Sequence, residues 1–323
     1  MDAGFAYPAV NVHDMFTLNA VIEGYDKAGS DGIVQIYPDA ARAVSGLADD
    51  PVLGAVSLAE HAHRVAARSD VNIAVHTDHC SDDQLDWFLI PLVEESERRK
   101  ASGLDNLFTS HMFDGSTLPL RENLTLSREL LSRCSSAGLW LEIEVGIVGA
   151  ENSDGANSGD KLYTSPDDFL TIREYLGDGS NDRYLVAPAF GNVHGVYRPG
   201  EVVLEPGILA SCQQALTDRY GPGNRFPLVF HGGSGSTDEE IKAVVGHGAV
   251  KMNIDTDGQY AFTRRIADYF FTQYGKVLRI DGDVGIKSAY FAETWLRQGA
   301  ESLRDYVASM CELLGSAGES IGG

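Results

Sequence analysis

Eight short runs rich in β-branched and aromatic residues recur along this chain, and the longer stretches between them carry a helical apolar period. The runs are FAYPAV, GIVQIY, VNIAVHT, LFTSHMF, LWLEIEV, YLVAPAF, PLVFHG and VKMNI. Between them, segments such as 55–67, 84–99, 120–132 and 206–220 place apolar residues three and four apart. This alternation predicts parallel βα units. Eight such units in 323 residues fit a (β/α)8 TIM barrel, an α/β fold. A doubly wound sheet has fewer strands and a glycine fingerprint after its first strand, and no GxGxxG follows FAYPAV. One barrel domain over 1–323 is therefore expected, with 292–323 as a C-terminal helical extension that serves as an appendage or an oligomer contact. The Gly-, Ser-, Asn- and Asp-rich segment 149–160 reads as a long mobile loop.

Polar residues gather at the C-terminal ends of these runs. Asn11 follows the first, Asp78 and His79 the third, His111 and Asp114 the fourth, Glu142 and Glu144 the fifth. Asn192 and His194 follow the sixth, His231 the seventh, Asn253 and Asp255 the eighth. A barrel's active site lies at that rim. One such residue is readily explained as a helix cap or a satisfied core group, whereas a ring of them is not.

Three imidazoles in the ring, His79, His194 and His231, come from separate strands and can converge on one point. Three protein ligands with an open position make a catalytic zinc site. Asp114, Glu144 and Glu151 can supply a second metal position or orient the first. His13, His61, His63, His76 and His247 read as surface or packing residues. In FHGGSGSTDEE, a glycine-rich turn precedes Thr237 and Glu240, which have the spacing of a capping box. Bare N–H groups there suit phosphate, as does NIDTD after the next strand, with Arg198 as a source of positive charge.

Such a positive source is needed because the chain carries a formal charge of -22. That charge disfavours nucleic acid as a partner. No apolar run approaches the roughly 20 residues of a membrane span. Four scattered cysteines form no CxxC pair, so a disulfide or zinc-thiolate framework is not expected and a reducing cytoplasm fits. Metal and phosphate at one barrel mouth point to a phosphorylated carbonyl compound whose neighbouring C–H is made acidic. Metal-assisted hydrolysis of a phosphate or amide is the alternative on these grounds.

The motifs YPAVN, HTDHC, SHMFDGS, LEIEVG, KLYTSP, FGNVHGVYRPG, FHGGSGS and VKMNIDTD, in this order over nearly the whole chain, resemble the class II, zinc-dependent fructose-bisphosphate aldolases. The resemblance implies His79, His194 and His231 as zinc ligands, with Asp114, Glu144 and Glu151 at an alternative metal position. It implies that Asp78 protonates and orients the aldehyde oxygen and that Asn253 steadies the enediolate. Gly195, Arg198, Gly232, Ser234, Asp255 and Thr256 match positions that hold the phosphate of dihydroxyacetone phosphate, and Asn11 is placed with this substrate-binding set. The implied cofactor is zinc, with a monovalent cation beside it as a further expectation. The implied partners are a small sugar phosphate and further copies of the chain in a homodimer or homotetramer.

Three departures from the family pattern fall outside the donor half. The family's proposed base, a glutamate in the mobile loop, is matched by Asn152, so that role is expected to pass to Glu151, or to Asp154. The serine of the family's QFS, a contact for the aldehyde, is Tyr37 in QIYPD. The arginine of its DPR, which holds the second phosphate, is Glu293 in FAET. A carboxylate there repels phosphate. These departures favour an aldolase that uses dihydroxyacetone phosphate with an aldehyde other than glyceraldehyde 3-phosphate. Two further readings stay open: a conventional fructose-1,6-bisphosphate aldolase whose second phosphate is held by residues such as Arg42 or Arg265, and a non-catalytic paralogue that binds metal and sugar phosphate.

Overall fold

The strands form where the sequence alternates, and they close on themselves. The computed structural model describes residues 4–146, 149–150, 163–194, 203–277 and 284–321. Its strands are β1 (Tyr7–Asn11), β2 (Gly32–Ile36), β3 (Ile73–Thr77), β4 (Ser110–Phe113), β5 (Trp140–Val145), β6 (Gly149–Ala150), β7 (Tyr184–Pro188), β8 (Val193–His194), β9 (Leu228–Phe230) and β10 (Ala249–Ile254). Eight of them make a closed barrel in the order β1-β10-β9-β7-β5-β4-β3-β2, and β2 pairs with β1 to complete it. Every pairing in the barrel is parallel. The two-residue strands β6 and β8 pair separately, with Ala150 opposite His194. The expected TIM barrel is the fold observed.

The helices are α1 (Met15–Ala28), α2 (Pro38–Val44), α3 (Pro51–Ala66), α4 (Ile90–Ala101), α5 (Leu120–Ala137), α6 (Pro166–Leu176), α7 (Pro206–Tyr220), α8 (Asp238–Gly246), α9 (Thr256–Thr272), α10 (Tyr274–Val277) and α11 (Ala292–Leu313). Local chemistry sets several of their starts. Asp14 and Thr17 form a reciprocal capping box on α1, as do Ser165 and Asp168 on α6 and Thr237 and Glu240 on α8. The expected helix 84–99 begins as a π-turn over Leu85–Leu89. Pro91 has no N–H to offer the preceding turn, and Ile90 N–H bonds Leu85 O instead.

The C-terminal helix is built into the barrel wall. α11 buries Leu303, Val307, Met310 and Cys311 and packs between α1 and α9. A Cβ on Gly24 would fall 2.7 Å from Val307 Cβ, so this glycine permits the close approach of α1 and α11. Beyond α11 the chain returns to the bottom of the barrel, where Asp31 accepts hydrogen bonds from Ile321 N–H and the Ser320 hydroxyl.

Strand periodicity divides side chains between two environments. On β5, Leu141, Ile143 and Val145 join the apolar layer beneath the helices. Glu142 and Glu144, two residues apart, take the opposite face toward the barrel interior. Lys251 on β10, His76 on β3 and His231 after β9 meet Glu142 there. The barrel is thus packed with apolar residues outside and carries a polar interior near its C-terminal mouth.

Candidate active site

The strand ends place the polar ring around one cavity of about 340 Å³. Asn11, Asp78, His79, Asp114, Asn253, Asp255 and Thr256 line it, with Gly232, Gly233 and Ser234 on one wall and Tyr37, Pro38, Asp39, Ser81 and Gln84 on another. Glu142, Glu144 and His231 lie buried beneath its floor.

At the floor, His79, Glu144 and His231 each offer a ligand atom within 4.8 Å of the others. His79 Nδ1 is 3.0 Å from Asp114 Oδ2 and 3.7 Å from Glu144 Oε2. Glu144 Oε2 also stands 3.4 Å from His231 Nδ1, yet it is buried without a hydrogen bond. A buried carboxylate oxygen in that condition is costly unless a cation completes it. Two imidazoles and a carboxylate are a zinc donor set, so the residues present fit that metal. His194, the third expected imidazole, belongs to β8, and its side chain lies outside the described residues.

Charge around this cluster is arranged in layers. Burial raises the Glu144 carboxyl, and Asp114 beside it adds to the effect. Burial opposes a charged His79, but Asp78, Asp114 and Glu144 outweigh it and raise its pKa to about 10. Burial would also raise Asp78, yet its neighbours His79, Lys251 and His231 hold its carboxyl below the ordinary range. Carboxylates and imidazoles are thus interleaved on the pocket floor, each shifting the other's proton affinity.

Hydrogen bonds fix the groups above the floor. Asp78 accepts from Asn11 Nδ2 at 2.9 Å and from Asn253 Nδ2 at 3.1 Å. Gln35 Nε2 in turn donates to Asn11 Oδ1 at 2.8 Å. The Asp78 carboxylate is consequently held in one orientation by three neighbouring strands. Asn192 Nδ2 donates to the His231 carbonyl at 2.9 Å, which anchors the residue preceding the glycine turn.

In that turn Gly232 adopts φ +62°, a left-handed conformation that disfavours any side chain. The helix that follows, α8, has its first N–H groups engaged by the Thr237–Glu240 box. By contrast, α9 starts with no side-chain cap at Asp255, and its first residues Asp255 and Thr256 face the cavity. The barer helix terminus for an anion is thus the one after β10.

The chain matches the family model described as "Fructose-bisphosphate aldolase class-II" over residues 1–319. This chain belongs to the class II fructose-bisphosphate aldolase family. It is an aldolase, an enzyme of the aldehyde-lyase class. Proteins named fructose-bisphosphate aldolase from Mycobacterium tuberculosis and Streptomyces galbus are each 48% identical to it, over 322 and 320 residues, covering 98% of this chain and 94% of theirs. A crystal structure of fructose-bisphosphate aldolase from Campylobacter jejuni superposes with a TM-score of 0.86 at 37% identity, covering 98% of this chain and 92% of that one.

For the class II aldolase, several sequence expectations fall outside the described residues: Glu151, Asn152, Asp154, Gly195 and Arg198. Others find different places. Arg42 faces Asp49 at 3.4 Å and stacks on Trp87, and Arg265 lies in a groove between α9 and α11, so neither lines the cavity. Glu293 is exposed in the first turn of α11, outside the cavity lining. His111 is buried and bonded to Thr77, and burial pushes its pKa down to about 3.

Sequence reasoning passed over three residues that the structure brings to the site. Lys251 is buried 2.7 Å from Glu142 and also bonds Asn253. Gln35 supports Asn11. His13, read as a surface or packing residue, lies at the cavity rim between Tyr37 and Asp255. A lysine in the apolar run VKMNI was the available signal for the first; nothing local marked the others.

Proposed function

We propose that this aldolase cleaves and forms fructose 1,6-bisphosphate, with dihydroxyacetone phosphate as the donor. The observation that carries the reading is the convergence of His79, Glu144 and His231 beneath a cavity that also holds Gly232, Ser234 and the uncapped start of α9. The names of relatives 48% identical over 98% of the chain support the same substrate.

Zinc would be held by His79, His231 and His194, with Glu144 and Asp114 beside it, and when bound it polarises the carbonyl oxygen so that the adjacent C–H becomes acidic. The chain's own residues do the rest. Gly232, Ser234, Thr256 and the backbone at Asp255, with Gly195 and Arg198, hold the donor phosphate. Arg198 restores the positive charge that the described cavity wall lacks. Glu151 takes the donor proton. Asn253 donates to the oxygen that gains negative charge, and the Asp78 carboxylate, held by Asn11 and Asn253, takes the proton of the hydroxyl that becomes the aldehyde oxygen in cleavage and returns it in addition. Cleavage of fructose 1,6-bisphosphate by zinc-loaded protein, abolished by chelation and by His79→Ala together with loss of bound zinc, tests this reading. Zinc-bound protein with no cleavage refutes it.

A second reading is favoured by one observation. Asp39, Asp78, Asp114 and Asp255 line the cavity, and no Lys or Arg does among the described residues. Such a wall suits an aldehyde without a phosphate. The ratio of kcat/KM for fructose 1,6-bisphosphate to that for a ketose 1-phosphate lacking the second phosphate separates the two.

We also infer self-association through the face of α9 and α10. Of α9 only Gly258 is buried, and Tyr260, Phe271, Tyr274, Tyr290 and Phe291 stay exposed on that side. A second copy of this chain covers such a surface economically. Sedimentation of the wild type against Phe271→Asp measures it, and an unchanged mass refutes it. Four free, buried cysteines fit a reducing cytoplasm.

A further inference from the structure

Asn123 on α5 does not line the active-site cavity, yet its side chain reaches two segments that carry site carboxylates. Its Nδ2 donates to the Gly115 carbonyl at 2.9 Å and to the Glu144 carbonyl at 2.8 Å. Both acceptors are carbonyls, so the NH2 group and not the amide oxygen must face them. Oδ1 accepts from the Ser127 hydroxyl at 3.0 Å, which fixes the other side of the amide. Asn123 is buried, and Leu124, Leu130 and Leu131 anchor its helix in the core around the barrel.

The contact falls where the sheet can no longer do the work. Pairing of β4 with β5 ends at Phe113 opposite Ile143. The ladder thus stops one residue short of Asp114 and Glu144, and Asn123 bridges the two strand ends beyond it. Asp114 Oδ1 is bound by the Ser116 N–H and hydroxyl, so this carboxylate follows the loop that Gly115 belongs to. Its Oδ2 lies 3.0 Å from His79 Nδ1, and Glu144 Oε2 lies 3.7 Å from the same atom.

One buried amide therefore spans the gap between the two carboxylates that flank His79. The fit is close, since a Cβ on Gly115 would fall 2.5 Å from Asn123 Cγ. We propose that Asn123 is a positioning residue for the metal cluster, setting the spacing of Asp114 and Glu144 about His79 by tying the loop after β4 to the end of β5. Without it, two buried carbonyls lose a donor and the loop relaxes away from the strand. The inference rests on the reading of His79, Glu144 and His231 as a zinc site, and holds whichever sugar phosphate is cleaved.

The test uses the zinc-loaded, full-length protein. Metal affinity is read by competition with a chelator, and ligand arrangement from the visible absorption after exchange of zinc for Co2+. For Asn123→Ala, affinity falls about tenfold and the cobalt bands change in position or intensity. Gly115→Ala reaches the same contact from the other side, by pushing the amide away; it gives the same changes, and it decides the matter if Asn123→Ala does not fold. Leu124→Ala, a buried neighbour on the same helix, opens a core cavity and lowers the urea midpoint, yet leaves affinity within about twofold and the cobalt bands in place. Unaltered affinity and bands in the folded variants at Asn123 or Gly115, or an equal loss in Leu124→Ala, overturn the proposal. Wild-type protein that holds neither zinc nor Co2+ overturns the metal reading and this inference with it.

Discussion

Lys251 Nζ sits 2.7 Å from Glu142 Oε2 in the barrel interior, and neither side chain is more than 2% exposed. The other oxygen of Glu142 is 2.7 Å from His231 Nε2. One carboxylate thus links a buried cation to a residue of the proposed metal cluster, and His231 is held with its Nδ1 toward Glu144. Lys251→Met removes the ammonium from Glu142 Oε2 and leaves the buried carboxylate with histidine neighbours alone. Loss of about 3–5 kcal/mol in urea unfolding is expected, with zinc affinity weaker by about 10–100-fold. The double variant Lys251→Met/Glu142→Leu recovers much of the stability but not the zinc affinity, which separates packing from ligand orientation.

Gly232→Ala tests the turn proposed to hold the donor phosphate. The alanine must adopt φ near +62°, at a cost of about 1–2 kcal/mol. A modest fall in melting temperature is expected, together with a raised KM for dihydroxyacetone phosphate. KM for the aldehyde is expected to stay as in the wild type, because the proposed role of this turn concerns the donor phosphate alone.

Glu151→Gln removes the proposed base while keeping its size. Donor proton exchange is expected to fall by at least about 100-fold, with zinc content by atomic absorption unchanged. Near-normal exchange in this variant returns the role to Asp154.

Asp31 gives a pH signature far from the active site. Burial would raise its carboxyl, but the Ile321 N–H, the Ser320 hydroxyl and both donors of Asn72 hold it below the usual value. A carboxyl depressed in the folded state stabilises fully above its unfolded pKa, and the contribution disappears as pH falls through the folded value. Unfolding free energy from this group is therefore flat from neutrality to about pH 5 and declines below about pH 4. Asp31→Asn lowers stability at pH 7 and makes the acid limb shallower, read from urea midpoints across that range.

The pattern of strands and helices was legible because each βα unit writes its period locally: two residues per repeat in VNIAVHT, three to four in the helix after it. Placing His79, Asp114, Glu144, His231 and Asn253 at strand ends was enough to gather them once the barrel was assumed, since a parallel barrel brings all its C-terminal strand ends to one mouth. Motif order along nearly the whole chain carried the family. Tyr37, which lines the cavity, was legible only as a departure from the family's serine.

Tertiary structure alone decided which polar residues meet. Lys251 and Glu142 are 109 positions apart, His13 and Asp255 further still, and no local period encodes the pairing of side chains across a barrel. It also decided that α11 is part of the wall, because Gly24 removes a Cβ at the point where α1 and α11 touch. Sequence periodicity determines which face of an element is buried; what that face is buried against depends on strand order and register, which only the closed barrel supplies.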